Sequence, residues 1–493
     1  MRSRVLAMLA AAVAAVGLTA GPAPAASASA MTPPLTFRNP VREGAADPYL
    51  FFSGGYYYLT YTAVTRVVVV RAASVTGLAA APETTVWTPP PSGPGCCDIW
   101  APEVHQLDGK WYLYYTADDG TDANHRMYAA EASNPLGPYA GKGQLATGDV
   151  HSIDGSVLQL PDGRRYFVWA SGRSDGQHVF IAPMSNPWTT SGPPVQLINP
   201  DQAWEQHNAR VVEAPVEILH DGQVFLAYSG SHCNSPDYAI GLMQYTGNDP
   251  GSAASWTKLP GPAFHRDDAA WVWGTGHNGF FSSPDGTETW IAYHAVTSSG
   301  GAVYGSCGGD RSLRIGRVSF DDAGRPILGT PAASWQTLAL PSGDPGADIV
   351  TDGRYKLLPA NNTGNALDLA SCSTDNGANV QVWTDLGNDC QGWQLTYLGD
   401  GTYKLLNVHS GQSLDVGGCS PDNGANVDQW PYWGGDCQRR YLDALPGGLY
   451  RVTSKVGGRV LDVGGCSTAD GANVDTWPYW QGDCQKWRLV RTG

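Results

Sequence analysis

DGKWYLYYT, residues 108–116, opens on a turn and runs straight into a strand. Asp-Gly suits the left-handed backbone of a tight hairpin, and the alternating aromatic run behind it suits a pleated, half-buried strand. One such segment is a hairpin, but here it recurs. GGYYYLTYT (54–62), DGRRYFVWAS (162–171), DGQVFLAYSG (221–230) and DGTETWIAYHA (285–295) repeat the pattern, with turn glycines 54 to 64 residues apart. Another strand-like run precedes each turn, and helical periodicity is almost absent. Five strand-rich repeats of this length predict an all-β, five-bladed β-propeller.

In a propeller the innermost strands surround the axis, so matched positions on five blades form a ring. Counting back 8 or 9 residues from each turn glycine gives Asp47, Ala101, Asp154, Glu213 and His277. Three buried carboxylates in one ring repel one another, and their pKa values move apart until one is protonated and one ionised near neutral pH. Glycoside hydrolysis needs such a pair. A single acid at a strand start more often satisfies backbone groups or binds a metal; three in matched register favour catalysis.

The motifs around these positions are ADPYL (46–50), DIWAPEVHQLDGKWYLYYT (98–116), SIDGSVL (152–158), VVEAPVEI (211–218) and GTGHNGFF (274–281). Together they resemble glycoside hydrolase family 43, an inverting five-bladed propeller family, over residues 35–335. The resemblance implies Asp47 as general base, Glu213 as general acid, and Asp154 as the group that tunes the acid and holds the sugar. Glu217 is the rival acid, but Glu213 precedes Ala-Pro and keeps the register. It further implies His277 at the axis with room for a calcium ion beside it, and Arg311 beneath the sugar hydroxyls, with Arg314 and Arg317 as alternatives; Trp100, flanking the ring position of the second blade, is placed either to stack on a sugar face or to pack between blades. No cofactor is required, and no metal ligand is assigned. NHRMY (124–128), SGSHCNSPDYAIG (229–241) and the CCDIWAPE start look most like exo-acting α-L-arabinofuranosidases. β-Xylosidases and endo-arabinanases share the catalytic frame and differ in loops, and a non-catalytic propeller-lectin is the alternative of another class. The retaining fructan and sucrose enzymes carry Arg-Asp-Pro at the second acid; Ile153-Asp154-Gly155 stands here.

Cysteines divide the chain. Four precede residue 310 (Cys96, Cys97, Cys233, Cys307), with three pairings open, and six follow residue 370. From there the sequence repeats every 47 residues, as LDLASCSTDNGANVQVW, LDVGGCSPDNGANVDQW and LDVGGCSTADGANVDTW. Three Gly-studded, strand-rich units predict a β-trefoil, and the constant spacing of 18 within each unit predicts Cys372–Cys390, Cys419–Cys437 and Cys466–Cys484. The trefoil resembles ricin B-type lectins, also called carbohydrate-binding module family 13. That likeness implies sugar contacts at Asp368 with Trp383, Asp415 with Trp430, and Asp462 with Trp477. Arg440 departs from it, standing where the other units have Trp.

The domains are therefore expected at 1–30 (a secretory signal), 31–345 (the propeller) and 346–493 (the trefoil), with 331–347 a linker or closing strand. Arg2 and Arg4, a short apolar stretch and PAPAASASA make the signal, so a secreted, extracellular protein is expected. Net charge −15 argues against nucleic acid, and no later segment could span a bilayer. Low charge and many aromatics suit a neutral, hydroxyl-rich partner. The expected one is plant cell-wall polysaccharide (arabinan, arabinoxylan or arabinogalactan), bound by a monomer.

Overall fold

A computed structural model describes residues 36–297, 307, 311–346 and 349–492. The expected signal, 1–30, lies outside them. Five antiparallel sheets surround one axis. Their innermost strands are Tyr49–Ser53, Cys97–Leu107, Ser152–Gln159, Val212–His220 and Trp273–Ser282. Their second strands are Tyr56–Thr60, Lys110–Asp118, Arg165–Arg173, Gln223–Gly230 and Thr289–Val296. The alternation read in the repeats is the two faces of these second strands. Leu113, Phe167, Leu226 and Ile291 are fully enclosed between neighbouring blades. Such burial is the main driving force for the fold.

Closure of the ring uses the segment read as a linker or closing strand. Leu338–Ala339 pairs antiparallel with Thr36–Phe37. Asn39 then clasps Ile315 of the last blade through both amide atoms, at 2.9 and 3.1 Å. The first blade is thereby fastened to the fifth, and the sheet edges at the seam are covered.

The rest of the chain is a trefoil of three four-stranded repeats, beginning at Gly353, Tyr403 and Leu449. Its first strand, Gly353–Pro359, pairs with its last, Trp487–Arg491, which closes the barrel. Leu367, Leu414 and Leu461 fill equivalent core positions. At the pseudo-threefold axis the amides of Asn379, Asn426 and Asn473 hydrogen-bond head to tail, each at 3.0 Å. The disulfides are Cys372–Cys390, Cys419–Cys437 and Cys466–Cys484 in the trefoil, and Cys96–Cys97 and Cys233–Cys307 in the propeller.

Candidate active site

At the top of each inner strand the chain takes one left-handed step. The residues that make it are Asp47 (φ 52°), Ala101 (40°), Asp154 (54°), Ala214 (50°) and His277 (47°). In four of the five blades the ladder register shifts at this point, as expected for a bulge that re-aims a side chain. Non-glycine residues there cost of order 1–3 kcal/mol each, and such strain clusters where side chains must be aimed.

The fourth member of this ring is Ala214, not Glu213, so the sequence register is off by one in that blade. Turn length explains the slip. Blades one, two and four have two-residue turns between paired residues (Ser53↔Tyr56, Leu107↔Lys110, His220↔Gln223). Blades three and five have longer ones (Gln159↔Arg165, Ser282↔Thr289). Glu213 shares its position with Trp100, one residue before the bend.

A second ring supports the first. The N–H of Ala101 donates to Thr62 Oγ1 (2.9 Å), that of Asp154 to Thr116 Oγ1 (3.1 Å), that of His277 to Ser229 Oγ (2.8 Å), and that of Asp47 to His294 Nδ1 (3.2 Å). Thr116, Ser229 and His294 lie in the second strand of the preceding blade, and Thr62 lies two residues beyond its own. The exception is informative: Ser171 donates elsewhere, to His151 O. The Ala214 N–H instead faces the Asp154 carboxylate and slightly offsets the rise in its pKa.

The carboxylates are buried together and differ in charge. Burial alone would raise the pKa of Asp47. Arg311, with His277 beside it, overcomes it and holds the group well below the usual carboxylate range. Arg311 Nη1 lies 2.6 Å from Asp47 Oδ1, His277 Nδ1 3.3 Å from the same oxygen, and Thr62 donates to Oδ2 at 2.7 Å. His294 is itself driven down to about 4 by burial and by Arg311, so it stays neutral and accepts the Asp47 N–H. Glu213 goes the other way: burial raises it to about 7, against hydrogen bonds from Tyr238 (2.8 Å) and Gln177 (2.6 Å). Asp154 is raised well above its ordinary value by burial, then by Glu213 and Asp47. The cluster thus sets an ionised Asp47 against a protonated Glu213, with Asp154 as a neutral neighbour.

The remaining expected residues separate clearly. Trp100 lies in the site wall, its ring stacked 3.8 Å from that of His125. Of the three arginines, Arg311 reaches the acids. Arg314 is buried against Ala332 O (2.8 Å), and the exposed Arg317 pairs with Glu288 (3.3 Å). Glu217 accepts the Gln159 N–H at 2.7 Å and lines a separate axial cavity with Tyr49, His105 and Trp111. Burial raises it to about 8, with Glu103 as the next contributor. It does not join the Asp47–Asp154–Glu213 cluster. Among the described residues, the two groups with metal-like spacing are His232–Cys233–Cys307, whose thiols form a disulfide, and Asp122–His125–His151; neither contains His277.

Two residues that shape the acids escaped the sequence reading. Tyr238 lies within SGSHCNSPDYAIG, and His294 within the fifth repeat. A signal for His294 existed: the polar residue near the end of each repeat reads Thr62, Thr116, Ser171, Ser229, His294.

In the trefoil, Asp368 is bridged to Gln381 at 2.9 Å. The later repeats place Asp opposite Asp, Asp415↔Asp428 and Asp462↔Asp475. Burial and the facing acid raise Asp428 to about 6 and Asp462 to about 7. Trp383 and Trp430 remain 38% and 44% exposed, whereas Trp477 is half-buried. Arg440 does the work of the missing tryptophan. Trp393 and Trp487 donate their indole N–H to Leu367 O (3.0 Å) and Leu461 O (3.1 Å), and Arg440 Nη2 donates to the equivalent Leu414 O (3.4 Å).

Comparison with known proteins gives the same two-part division. Residues 37–326 match the model for glycosyl hydrolases family 43, and residues 332–430 and 436–493 match that for ricin-type β-trefoil lectin domain-like proteins. An extracellular exo-α-(1→5)-L-arabinofuranosidase from Streptomyces avermitilis is 38% identical over 355 residues, 68% of this chain and 72% of that relative. One of the same description from Streptomyces chartreusis is 35% identical over 58% of this chain and 90% of the relative. The crystal structure of an α-L-arabinofuranosidase from Lactobacillus brevis superposes with a TM-score of 0.57 at 31% identity, covering 60% of this chain and 98% of that one.

Proposed function

The chain belongs to glycosyl hydrolases family 43, and from that membership we propose that it is an inverting, exo-acting α-L-arabinofuranosidase that releases terminal arabinose from 1,5-linked arabinan or its oligosaccharides. The observation that carries the reading is one buried cluster in which Asp47 is held by Arg311 at 2.6 Å, which favours its charge, while Glu213 meets Tyr238 and Gln177 and is raised by burial. Asp47, ionised, takes a proton from a water as that water attacks the anomeric carbon. Glu213, protonated, gives its proton to the departing glycosidic oxygen. The attack and the departure occur on opposite faces of the sugar, so the configuration inverts. Burial, with the charge of Asp47 nearby, keeps Glu213 protonated, Asp154 stands beside it as a neutral neighbour, and Trp100 offers a face for a sugar ring.

The chemistry asks nothing of a cofactor, because two carboxylates in opposite states supply both proton transfers. Calcium prefers six to eight oxygen ligands. Carboxylate oxygens of Asp47 and Asp154 lie 3.3 and 3.9 Å from His277 Nδ1, so these are the residues that would hold a cation at the axis, where it would play a structural part. Dialysis against EDTA is expected to leave kcat within about twofold, whereas loss restored by calcium would assign the ion a role at His277.

The trefoil makes the protein a carbohydrate binder as well as a hydrolase. We infer that it holds a monomeric, secreted enzyme on arabinan, arabinoxylan or arabinogalactan, several weak sites adding residence through multivalency. The relatives are named extracellular, and the five disulfides suit an oxidising compartment.

Early-time proton NMR on linear α-1,5-arabino-oligosaccharides, with xylo-oligosaccharides alongside, tests the reading. One-at-a-time release of β-configured arabinose supports it. Internal cleavage would make the enzyme an endo-arabinanase, and xylose release a β-xylosidase. Silence on both would favour a binding propeller.

A further inference from the structure

The three trefoil repeats are not used alike. In the first, the segment from Trp383 to Asp389 faces solvent, and in the second Trp433 is 62% exposed. In the third, Pro478, Tyr479 and Gly482 are buried. What covers them is the propeller. The Tyr479 hydroxyl donates to Glu43, Lys486 Nζ pairs with the same carboxylate at 2.8 Å, and Ser334 donates to Tyr479 O at 3.4 Å. Glu43 lies four residues before Asp47.

One residue in this contact breaks the pattern of the repeats. At the left-handed position of the loop, the first repeat has Gly387 (φ 70°) and the second Gly434 (φ 82°), but the third has Gln481 (φ 69°). A side chain there carries strain that glycine avoids. That side chain crosses into the propeller: Nε2 donates to Thr297 Oγ1 at 2.8 Å, and Oε1 accepts from Ser312 Oγ at 3.1 Å. Thr297 directly follows the strand that carries His294. Ser312 directly follows Arg311, whose Nη1 holds Asp47 at 2.6 Å. One amide therefore ties together the strand ends that carry Arg311 and His294, two of the groups on Asp47.

We propose that the third trefoil repeat is a wall of the active site, with Gln481 a positioning residue that, through Ser312 and Thr297, sets Arg311 and His294 on the catalytic base Asp47. The role given to Asp47 rests on the function proposed above. In this arrangement the third repeat serves as a dock for the propeller, and carriage of polysaccharide falls to the first two repeats. The energetic logic is local. Burial pushes the Asp47 pKa up, and its cationic and imidazole neighbours bring it down. A displaced guanidinium lets burial win.

The test uses the full chain and short, soluble arabino-oligosaccharides, on which anchoring to polymer plays no part. Gln481→Gly removes the amide and restores the residue type of the other two repeats, so the variant is expected to fold with an unchanged or higher Tm. Its kcat/KM should fall about tenfold, mostly in kcat, since small misplacements of catalytic groups cost that much or more. An acid limb absent from the wild type should rise into view below about pH 5. Thr297→Val with Ser312→Ala should reproduce both effects and add little to Gln481→Gly. Hydrogen exchange across residues 40–49 and 311–318 should quicken in Gln481→Gly. A variant with wild-type kcat/KM, pH profile and exchange would overturn the proposal. A wild type inactive on every glycoside would sink the proposed function instead, and the exchange measurement would still decide whether Gln481 orders the Arg311 strand.

Discussion

At the residue scale, the division of labour proposed for Asp47 and Glu213 comes from who donates to whom. Asp47 faces a guanidinium; Glu213 faces a phenol and an amide, which stabilise its charge far less. The rate should therefore fall as pH rises through about 7, where Glu213 loses the proton it must deliver. Tyr238→Phe deletes a hydrogen bond that favours the ionised form, so the basic limb should move to higher pH, and the pH profile of kcat/KM checks the sign. Glu213→Gln should cost roughly 10²–10⁴ in kcat on natural oligosaccharides and much less on an aryl arabinoside, whose leaving group needs no proton. Asp47→Asn should cost as much on both, because the water lacks its base whatever the leaving group.

At the element scale, the fold was legible because each blade repeats one signal, an Asp-Gly or Gly-Gly turn opening an alternating strand. The ring of acids was legible through that same register, and its one slip shows the limit. A count from the turn carries no information on turn length, so it sets Glu213 level with Asp154, whereas its true counterpart is Trp100. Tyr238 and His294 were hidden for another reason: they approach from the walls, and only the assembled ring brings them to the acids. In the trefoil, Arg440 read as a lost tryptophan, whereas it keeps the hydrogen bond that the tryptophans make. It also sits beside Asp415 and Asp428, and burial holds its own pKa down at about 10. Arg440→Trp should stabilise the trefoil by about 1–2 kcal/mol at acidic pH, as replacing a buried ion with apolar volume often does. The gain should shrink as pH rises. Without the guanidinium, the folded pKa of Asp428 climbs from about 6, and a carboxyl raised on folding loses stability as pH passes from its unfolded value towards its folded one. The third repeat already shows that state, with Trp487 in place and Asp462 at about 7. Thermal denaturation of the variant at about pH 5 and pH 8 separates the two effects.

At the scale of the whole molecule, the propeller and trefoil meet through an ion cluster as well as through the third repeat. Asp443 of the trefoil accepts from Arg38 Nε and Nη2, each at 3.1 Å, and from Arg451 Nε at 3.0 Å. Arg451 continues to the backbone oxygens of Asn39 and Arg38, at 3.2 and 3.3 Å. Gly458 comes so close to the propeller that a Cβ there would lie 2.1 Å from Trp335 O. Both guanidiniums are almost wholly buried, with side chains 2% exposed, so the single carboxylate between them is what makes their burial tolerable. Asp443→Asn leaves two buried cations facing each other and should cost about 3 kcal/mol. The loss falls on the junction and not on either core, so calorimetry should show one transition in the parent protein separating into two in the variant. The pH dependence has a definite sign. Burial would raise Asp443, but the two arginines hold its pKa below the ordinary value. Its contribution is therefore complete above the unfolded pKa near about 3.9 and drains away as pH falls through the lower folded value. The parent protein should begin to resemble Asp443→Asn only in that acid range. Separation of the transitions already at neutral pH in the parent would mean that the cluster does not couple the two domains.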